Sequence, residues 1–283
     1  MTTIAFLGTG LLGSGFIEAA AARGDHVTVW NRTSTKAEAL KKFGVTVADT
    51  AADAVRGAER VHLVLKDDAV VNEVIAALTP GLSPHAIICD HTTTQPALTA
   101  HRSERLNAQG IRYLHCPVFI GPSAARKSEG SILVSGPTAL YETVLPALSR
   151  MASKVQYYGE RPDLAAAYKL FGNALIIGLS ALAADVFTVA AGVGISALDA
   201  LAVLDVVNPA NTLSIRGRNM ARGDYTPSFE LDMARKDVRL MIETAGALPL
   251  AALPSIAARM DTLIAAGHGA DDLAVIGVDA LRH

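Results

Sequence analysis

The chain predicts an α/β protein, with an N-terminal doubly wound domain on a mostly parallel sheet and then an all-α domain built on one long helix. Three observations lead there. A glycine loop, Gly8-Thr9-Gly10-Leu11-Leu12-Gly13, stands between an apolar run and a helical stretch close to the N-terminus. Up to about residue 160, short apolar runs alternate with helical patterns, which is the rhythm of βαβ units. After Pro162 the strand signals stop and long Ala- and Leu-rich segments follow. The expected domains are 1–161 and 162–283, with Gly159-Glu160-Arg161-Pro162-Asp163 as the hinge and Pro162 or Asp163 starting the long helix. A length of 283 residues, 51% of them hydrophobic, suits two such units.

The elements follow in order. Residues 4–7 predict the first strand, and a helix is expected over 14–22. Between them each glycine of the G-x-G-x-x-G loop has a mechanical task. Gly8 permits the tight turn, Gly10 lets the backbone approach a pyrophosphate, and Gly13 lets the helix pack against the strand. The helix N-terminus adds free N–H groups and a positive dipole end, which suit phosphate. Residues 27–30 predict a second strand, completing a Rossmann dinucleotide-binding unit. Further strands are expected at 61–65, 86–89, 111–114, 132–135 and 155–158, all in one sheet. Helices are expected over 163–192, 196–206, 209–221, 228–246 and 251–266.

The tip of the second strand carries the cofactor preference. NAD-binding units place Asp or Glu there, about 20 residues past the loop, to hold the ribose 2′-hydroxyl. This chain has Asn31, Arg32 and Thr33, with Lys36 shortly after. These residues donate hydrogen bonds or carry positive charge, and Arg can hold a phosphate in a forked geometry. The expected cofactor is NADP(H) in preference to NAD(H).

Bulk properties narrow the partners. A formal net charge of -2 provides no long-range field for nucleic acid or an anionic membrane. Cys89 and Cys116 lack any C-x-x-C spacing, so neither a disulfide framework nor a zinc site follows, and Cys89 reads as a core thiol. No secretory leader pattern is visible, and a reducing, cytoplasmic setting is expected. Residues 174–195 are long and apolar enough to span a bilayer, but Asp185 near the middle and many small residues favour a helix covered by a second domain or subunit. A homodimer or tetramer is therefore expected. His62, His85, His91, His101, His115 and His268 show no metal-ligand spacing and read as scattered, with only His91 near the expected cleft between the domains. No Ser-His-Asp arrangement or G-x-S-x-G is visible.

Further motifs sharpen the reading. The chain carries Asp90-His91-Thr92-Thr93-Thr94-Gln95-Pro96, then Cys116-Pro117-Val118 with Gly121, then Lys169-Leu170-Phe171-Gly172-Asn173, and late in the sequence Phe229 through Lys236-Asp237. Together with the glycine loop, and in this order, they resemble the β-hydroxyacid dehydrogenase family, the group of 3-hydroxyisobutyrate dehydrogenase, over nearly the whole length. Lys169 and Asn173 lie four apart on a predicted helix and share a face. A lysine near the start of an apolar helix is costly unless its amine reaches a cleft, where desolvation lowers its pKa. The resemblance implies that Lys169 is the general acid or base of a reversible carbonyl reduction and that Asn173 holds substrate and lysine. It further implies that Gly8 to Gly13, Leu65, Lys66, Thr93 and Lys236 meet the cofactor, and that Thr93, Phe119, Gly121, Ser123 and Asn173 meet a small-molecule substrate. One threonine of the 92–94 turn could instead cap the helix that begins near Pro96.

The pattern also departs from the family. The substrate loop of relatives reads P-V-S-G-G, whereas this chain has Pro117-Val118-Phe119-Ile120-Gly121-Pro122-Ser123. Phe119 adds bulk and removes a donor, which Gly121 and Ser123 could partly replace, so a substrate that is different, more apolar or lacking the usual carboxylate is expected. Lys66 stands where relatives often carry proline. The segment 27–33 with Lys36 also resembles imine reductases, which share this architecture and reduce C=N with NADPH. Retained Lys169 and Asn173 favour carbonyl and alcohol chemistry over that reading. A non-catalytic NADP-binding protein is the third reading.

Overall fold

Ile4 and Phe6 alternate with Ala5 and Leu7, giving β1 (Thr3–Leu7) two apolar faces. In the computed structural model, which describes residues 2–281, the two faces enter two different hydrophobic cores. A strand apolar on both sides belongs at the centre of a sheet covered on both faces by helices. The chain continues through α1 (Leu11–Ala22), β2 (His26–Trp30), α2 (Ser34–Glu38), β3 (Thr46–Val47), α3 (Ala51–Ala54), β4 (Arg60–Leu63), α4 (Asp68–Leu78), β5 (Ile87–Asp90), α5 (Pro96–Ala108) and β6 (Arg112–His115). The six strands form a parallel sheet in the order β3-β2-β1-β4-β5-β6. Strand order reverses between β1 and β4, and ligands bind such sheets outside the carboxyl ends at that point. The register aligns Leu7 with Trp30 and Leu63, and Leu63 with Asp90, so the loops after β1, β2, β4 and β5 leave the sheet at one level.

Two strands expected in this sheet lie elsewhere. β7 (Val118–Phe119), β8 (Ser131–Val134) and β9 (Lys154–Tyr157) make a separate three-stranded sheet in the order β7-β8-β9, antiparallel between β7 and β8. Joining a parallel neighbour to β6 needs a crossover of about a dozen residues. Only Cys116 and Pro117 separate β6 from β7, so the chain starts a new sheet there. α6 (Pro122–Arg126) and α7 (Thr138–Leu148) connect its strands. The first helix begins at Leu11, earlier than the expected Ser14, because Gly10 already serves as its N-cap.

The chain divides into two compact units, Met1–Asn173 and Ala174–His283. α8 (Leu164–Gly192) begins in the first and runs through the second. α9 (Ala197–Ala200), α10 (Pro209–Arg222), α11 (Leu231–Ala245) and α12 (Leu253–Leu263) follow. The helix expected over 196–206 is one α-turn followed by a 3-10 segment, Leu201–Asp205, and the segment expected over 251–266 ends in a π-turn at Ile264–His268. Leu231, Val238, Leu253, Met260 and Val275 centre the core of the second unit. Asp185 is only 2% exposed, and its carboxylate accepts the backbone N–H groups of Ala251, Ala252 and Leu253 at the start of α12. Burial alone would raise its pKa, but these three bonds outweigh that and hold it below the ordinary range. α8 is long and apolar enough to cross a membrane, and only 11% of its apolar stretch is buried within the chain.

Candidate functional site

The glycine loop is built as its spacing requires. Gly8 has φ +102°, and a Cβ there would overlap the Val64 carbonyl. A Cβ on Gly13 would overlap the Gly8 carbonyl, so α1 sits against the loop because Gly13 has no side chain. Gly10 is exposed and faces open space. No side chain caps α1, so its first N–H groups remain available to an anion. Leu11 is 80% exposed beside them, and Leu12 packs on the core. Thr9 is buried, its Oγ1 without a hydrogen-bond partner.

Asn31 ties the tip of β2 to this loop. Its Oδ1 accepts the Thr9 N–H at 3.1 Å, and its Nδ2 donates to the Thr33 carbonyl at 3.0 Å. Gly8, Gly10, Asn31, Arg32, Thr33, Lys36, Leu65 and Lys66 line one cleft of about 350 Å³ at the switch point of the sheet. Among the described residues neither Arg32 nor Lys36 makes an ion pair, whereas Lys66 lies 4.0 Å from Asp67. Glu73 and Val70, on α4, line the same cleft and escaped the sequence reading. Asp67 caps α4, and the helical spacing from that cap was the signal that could have found them. These features fit a dinucleotide: a backbone cradle that a Cβ would fill, an uncapped helix start, and two unpaired cations at the strand tip.

The turn after β5 is held from below. The Asp90 carboxylate accepts the Thr92 N–H at 3.0 Å and the Tyr113 hydroxyl at 2.7 Å, and Thr92 Oγ1 accepts the Leu65 N–H at 3.1 Å. Thr93 is exposed at this turn. No threonine caps α5. Its N-cap is Gln95, and Thr94 is committed to Thr99 and His115.

Two of the histidines expected to be scattered, His62 and His91, meet in the core. His62 Nδ1 lies 2.9 Å from His91 Nε2, and His91 Nδ1 lies 2.7 Å from the Cys116 carbonyl. A carbonyl only accepts, so His91 carries its proton on Nδ1 and His62 donates to Nε2. Burial holds His62 well below its ordinary pKa and His91 at about 4, so both are neutral. β4 and β5 lie side by side, which brings together residues 29 apart in sequence. His115 is buried beside the Thr92–Thr94 turn.

Lys169, near the start of α8, is 9% exposed. Its Nζ donates to Asn173 Oδ1 at 2.9 Å and lies 4.1 Å from the centroid of the Phe119 ring. Desolvation lowers its pKa, and no carboxylate pairs with it among the described residues. Lys169, Asn173 and Phe119 are therefore assembled, while Gly121 and Ser123 are exposed around the start of α6. α6 is fixed to α1. A Cβ on Gly15 would press on Pro122 and Ala125, and Arg126 forks onto Glu18 at 2.8 and 3.0 Å. Gly15 lies outside the expected motif. Lys236 belongs to the helical unit, exposed, 3.1 Å from Asp237.

A family model for the NAD binding domain of 6-phosphogluconate dehydrogenase matches residues 3–159, more than half of the chain. The chain is 27% identical over 265 residues to an uncharacterized oxidoreductase of Shewanella frigidimarina, covering 89% of this chain and 90% of that protein. It is 25% identical over 257 residues to glyoxylate/succinic semialdehyde reductase 1 of Arabidopsis thaliana, covering 88% and 89%. It also matches the cytokine-like nuclear factor N-PAC of Xenopus tropicalis, 27% identical, but spans only 45% of it. An imine reductase from Myxococcus stipitatus in complex with NADP+ shares the fold, with TM-score 0.87 and 22% identity over 97% of this chain and 98% of that one. The glycine loop, the sheet order and the family match agree, and the chain belongs to the nicotinamide-dependent oxidoreductase family built on the NAD-binding domain of 6-phosphogluconate dehydrogenase, which includes the β-hydroxyacid dehydrogenases.

Proposed function

We propose that the chain is an NADP(H)-dependent oxidoreductase that reversibly reduces a small carbonyl compound, an aldehyde or a keto acid, with Lys169 as general acid and base. The observation that carries this reading is the Lys169 amine, nearly buried, held by Asn173 and without a counter-ion among the described residues. Desolvation lowers the cost of giving up its proton. Arg32, Lys36, Thr33 and the second Asn31 amide hydrogen would hold a 2′-phosphate, and Gly10 with the α1 N-terminus the pyrophosphate. Leu65, Lys66 and Thr93 would complete the cofactor site within the first unit. The nicotinamide supplies or takes up hydride when bound. Lys169 Nζ delivers the proton to the carbonyl oxygen in reduction and recovers it in oxidation, while Asn173 holds the amine in one rotamer. Thr93, Phe119, Gly121, Ser123 and Asn173 would bound the substrate. A second reading, imine reduction, draws on the Phe119 ring against the amine, because an ammonium beside an apolar wall suits an imine nitrogen as well as a carbonyl oxygen.

The test is NADPH and NADH oxidation against short semialdehydes, 2-keto acids, cyclic imines and ketone–amine pairs. Turnover of carbonyl compounds with NADPH is expected. For reduction, kcat/KM should fall on the alkaline side with an apparent pKa below the ordinary lysine value of 10.5. Lys169→Ala should bind NADPH normally and lose most turnover along with that limb. Turnover of imines alone would select the second reading, and tight NADPH binding without turnover would leave a binding protein.

A further inference from the structure

Phe119 sits in a notch that the fold has left for it. The nearest heavy atoms to a Cβ built on Gly172 are all of the Phe119 ring, Cζ, Cε1 and Cε2, and such a Cβ would overlap it. The ring reaches α8 only because residue 172 has no side chain. Its backbone is fixed as well. Phe119 pairs with Ser131 across β7 and β8, and its carbonyl lies 2.7 Å from where a Cβ on Gly130 would stand, a glycine with φ +93°. The ring thus rests on α8 with the Lys169 ammonium over its face, one turn from Gly172.

This contact limits what the amine can address. An ammonium has three N–H donors. One goes to Asn173 Oδ1, and the ring face covers another side. A single direction remains for a ligand. The ring offers no hydrogen-bond donor, and its π face is electronegative, so it compensates part of the ammonium charge. A carboxylate has about four lone-pair sites to satisfy and loses hydration on burial. A neutral carbonyl oxygen or imine nitrogen needs one donor. We propose that Phe119, seated in the Gly172 notch, is a specificity-determining residue that reserves Lys169 for one neutral acceptor atom on an apolar substrate and disfavours substrates bearing a carboxylate beside the reacting carbon. This rests on Lys169 facing the substrate, and it narrows the proposed substrates to aldehydes, ketones or imines over keto acids.

The experiment uses matched pairs. Turnover with NADPH is compared for ethyl pyruvate against pyruvate and for 2-methyl-1-pyrroline against 1-pyrroline-2-carboxylate. Independently of turnover, calorimetry in the presence of NADP+ compares pivalamide with the isosteric pivalate. The wild-type chain is expected to favour the neutral member of each productive pair, and pivalamide over pivalate, at least about tenfold. Phe119→Ser should narrow each ratio about tenfold or more, mainly through KM of the acid, while NADPH affinity holds. Phe119→Met, apolar and donor-free, should keep the preference. Gly172→Ala should narrow it with Phe119 still present, which guards against misreading a poorly folded Ser variant. A wild-type preference for the acid, ratios unmoved by Phe119→Ser, or binding of neither amide nor acid would overturn the inference. Loss of all turnover with the amide preference intact would overturn the proposed reaction and leave this inference standing.

Discussion

At the tip of β2, Asn31 links Thr9 to Thr33, so the loop expected to take the pyrophosphate and the segment expected to take the 2′-phosphate are braced by one side chain. Arg32 beside it is exposed and makes no ion pair among the described residues, so it can meet a ligand. Arg32→Ala is therefore expected to weaken NADPH at least about tenfold more than NADH, a difference of about 1.4 kcal/mol, read by fluorescence titration of both cofactors. Equal losses would leave Arg32 as a solvated surface charge. Arg32 and Lys36 were legible in the sequence because they follow a strand whose end is marked by the apolar run. Glu73 was not, because α4 meets this cleft only once the sheet has placed β4 next to β1.

Among the elements, the paired ends of β4 and β5 carry an acid-sensitive feature. His62 and His91 are stacked, neutral and buried, and the pair reaches the Cys116 carbonyl just before β7. The unfolded chain binds protons on both rings as pH falls below about 6.5, and the folded chain does not until about 4 for His91. Stability is thus complete above about pH 6.5 and lost as pH falls toward 4, by about 3 kcal/mol for His91 alone. Thermal unfolding midpoints should drop across this window. His91→Gln, which can still donate to the Cys116 carbonyl, should flatten the drop. A variant as acid-sensitive as the wild type would move the cause to other groups. Spacing along the chain could not announce this pair, because His62 lies on β4 and His91 just past the end of β5.

For the whole molecule, α8 poses the main question. Asp185 in its apolar stretch is explained, because it caps α12 within the second unit. The surrounding apolar surface is not covered by the chain: Leu175, Ile176, Ile177 and Leu179 are 46–67% exposed. Contiguous apolar surface of this kind marks an interface, and a second copy of the chain is the proposed cover. Light scattering should give a mass at least twice the 29.5 kDa of one chain. Ile177→Glu, at the most exposed of these four positions, should shift it toward the monomer. A wild-type monomer that sediments with lipid vesicles would assign the helix to a membrane instead.

The doubly wound first unit, the helical second unit, the glycine loop and the Lys169–Asn173 pair are all legible in the residues alone. Each of these is written in short-range signals: period-2 and period-3.6 patterns, a loop spacing, two residues one helical turn apart. The separate β7-β8-β9 sheet, the His62–His91 bond, the Asp185 cap and the seating of Phe119 on Gly172 emerge only from the folded chain. In all four the partners are distant in the chain or the connection is too short for the expected pairing. Chain topology and packing between distant elements set such contacts, and no local pattern encodes them.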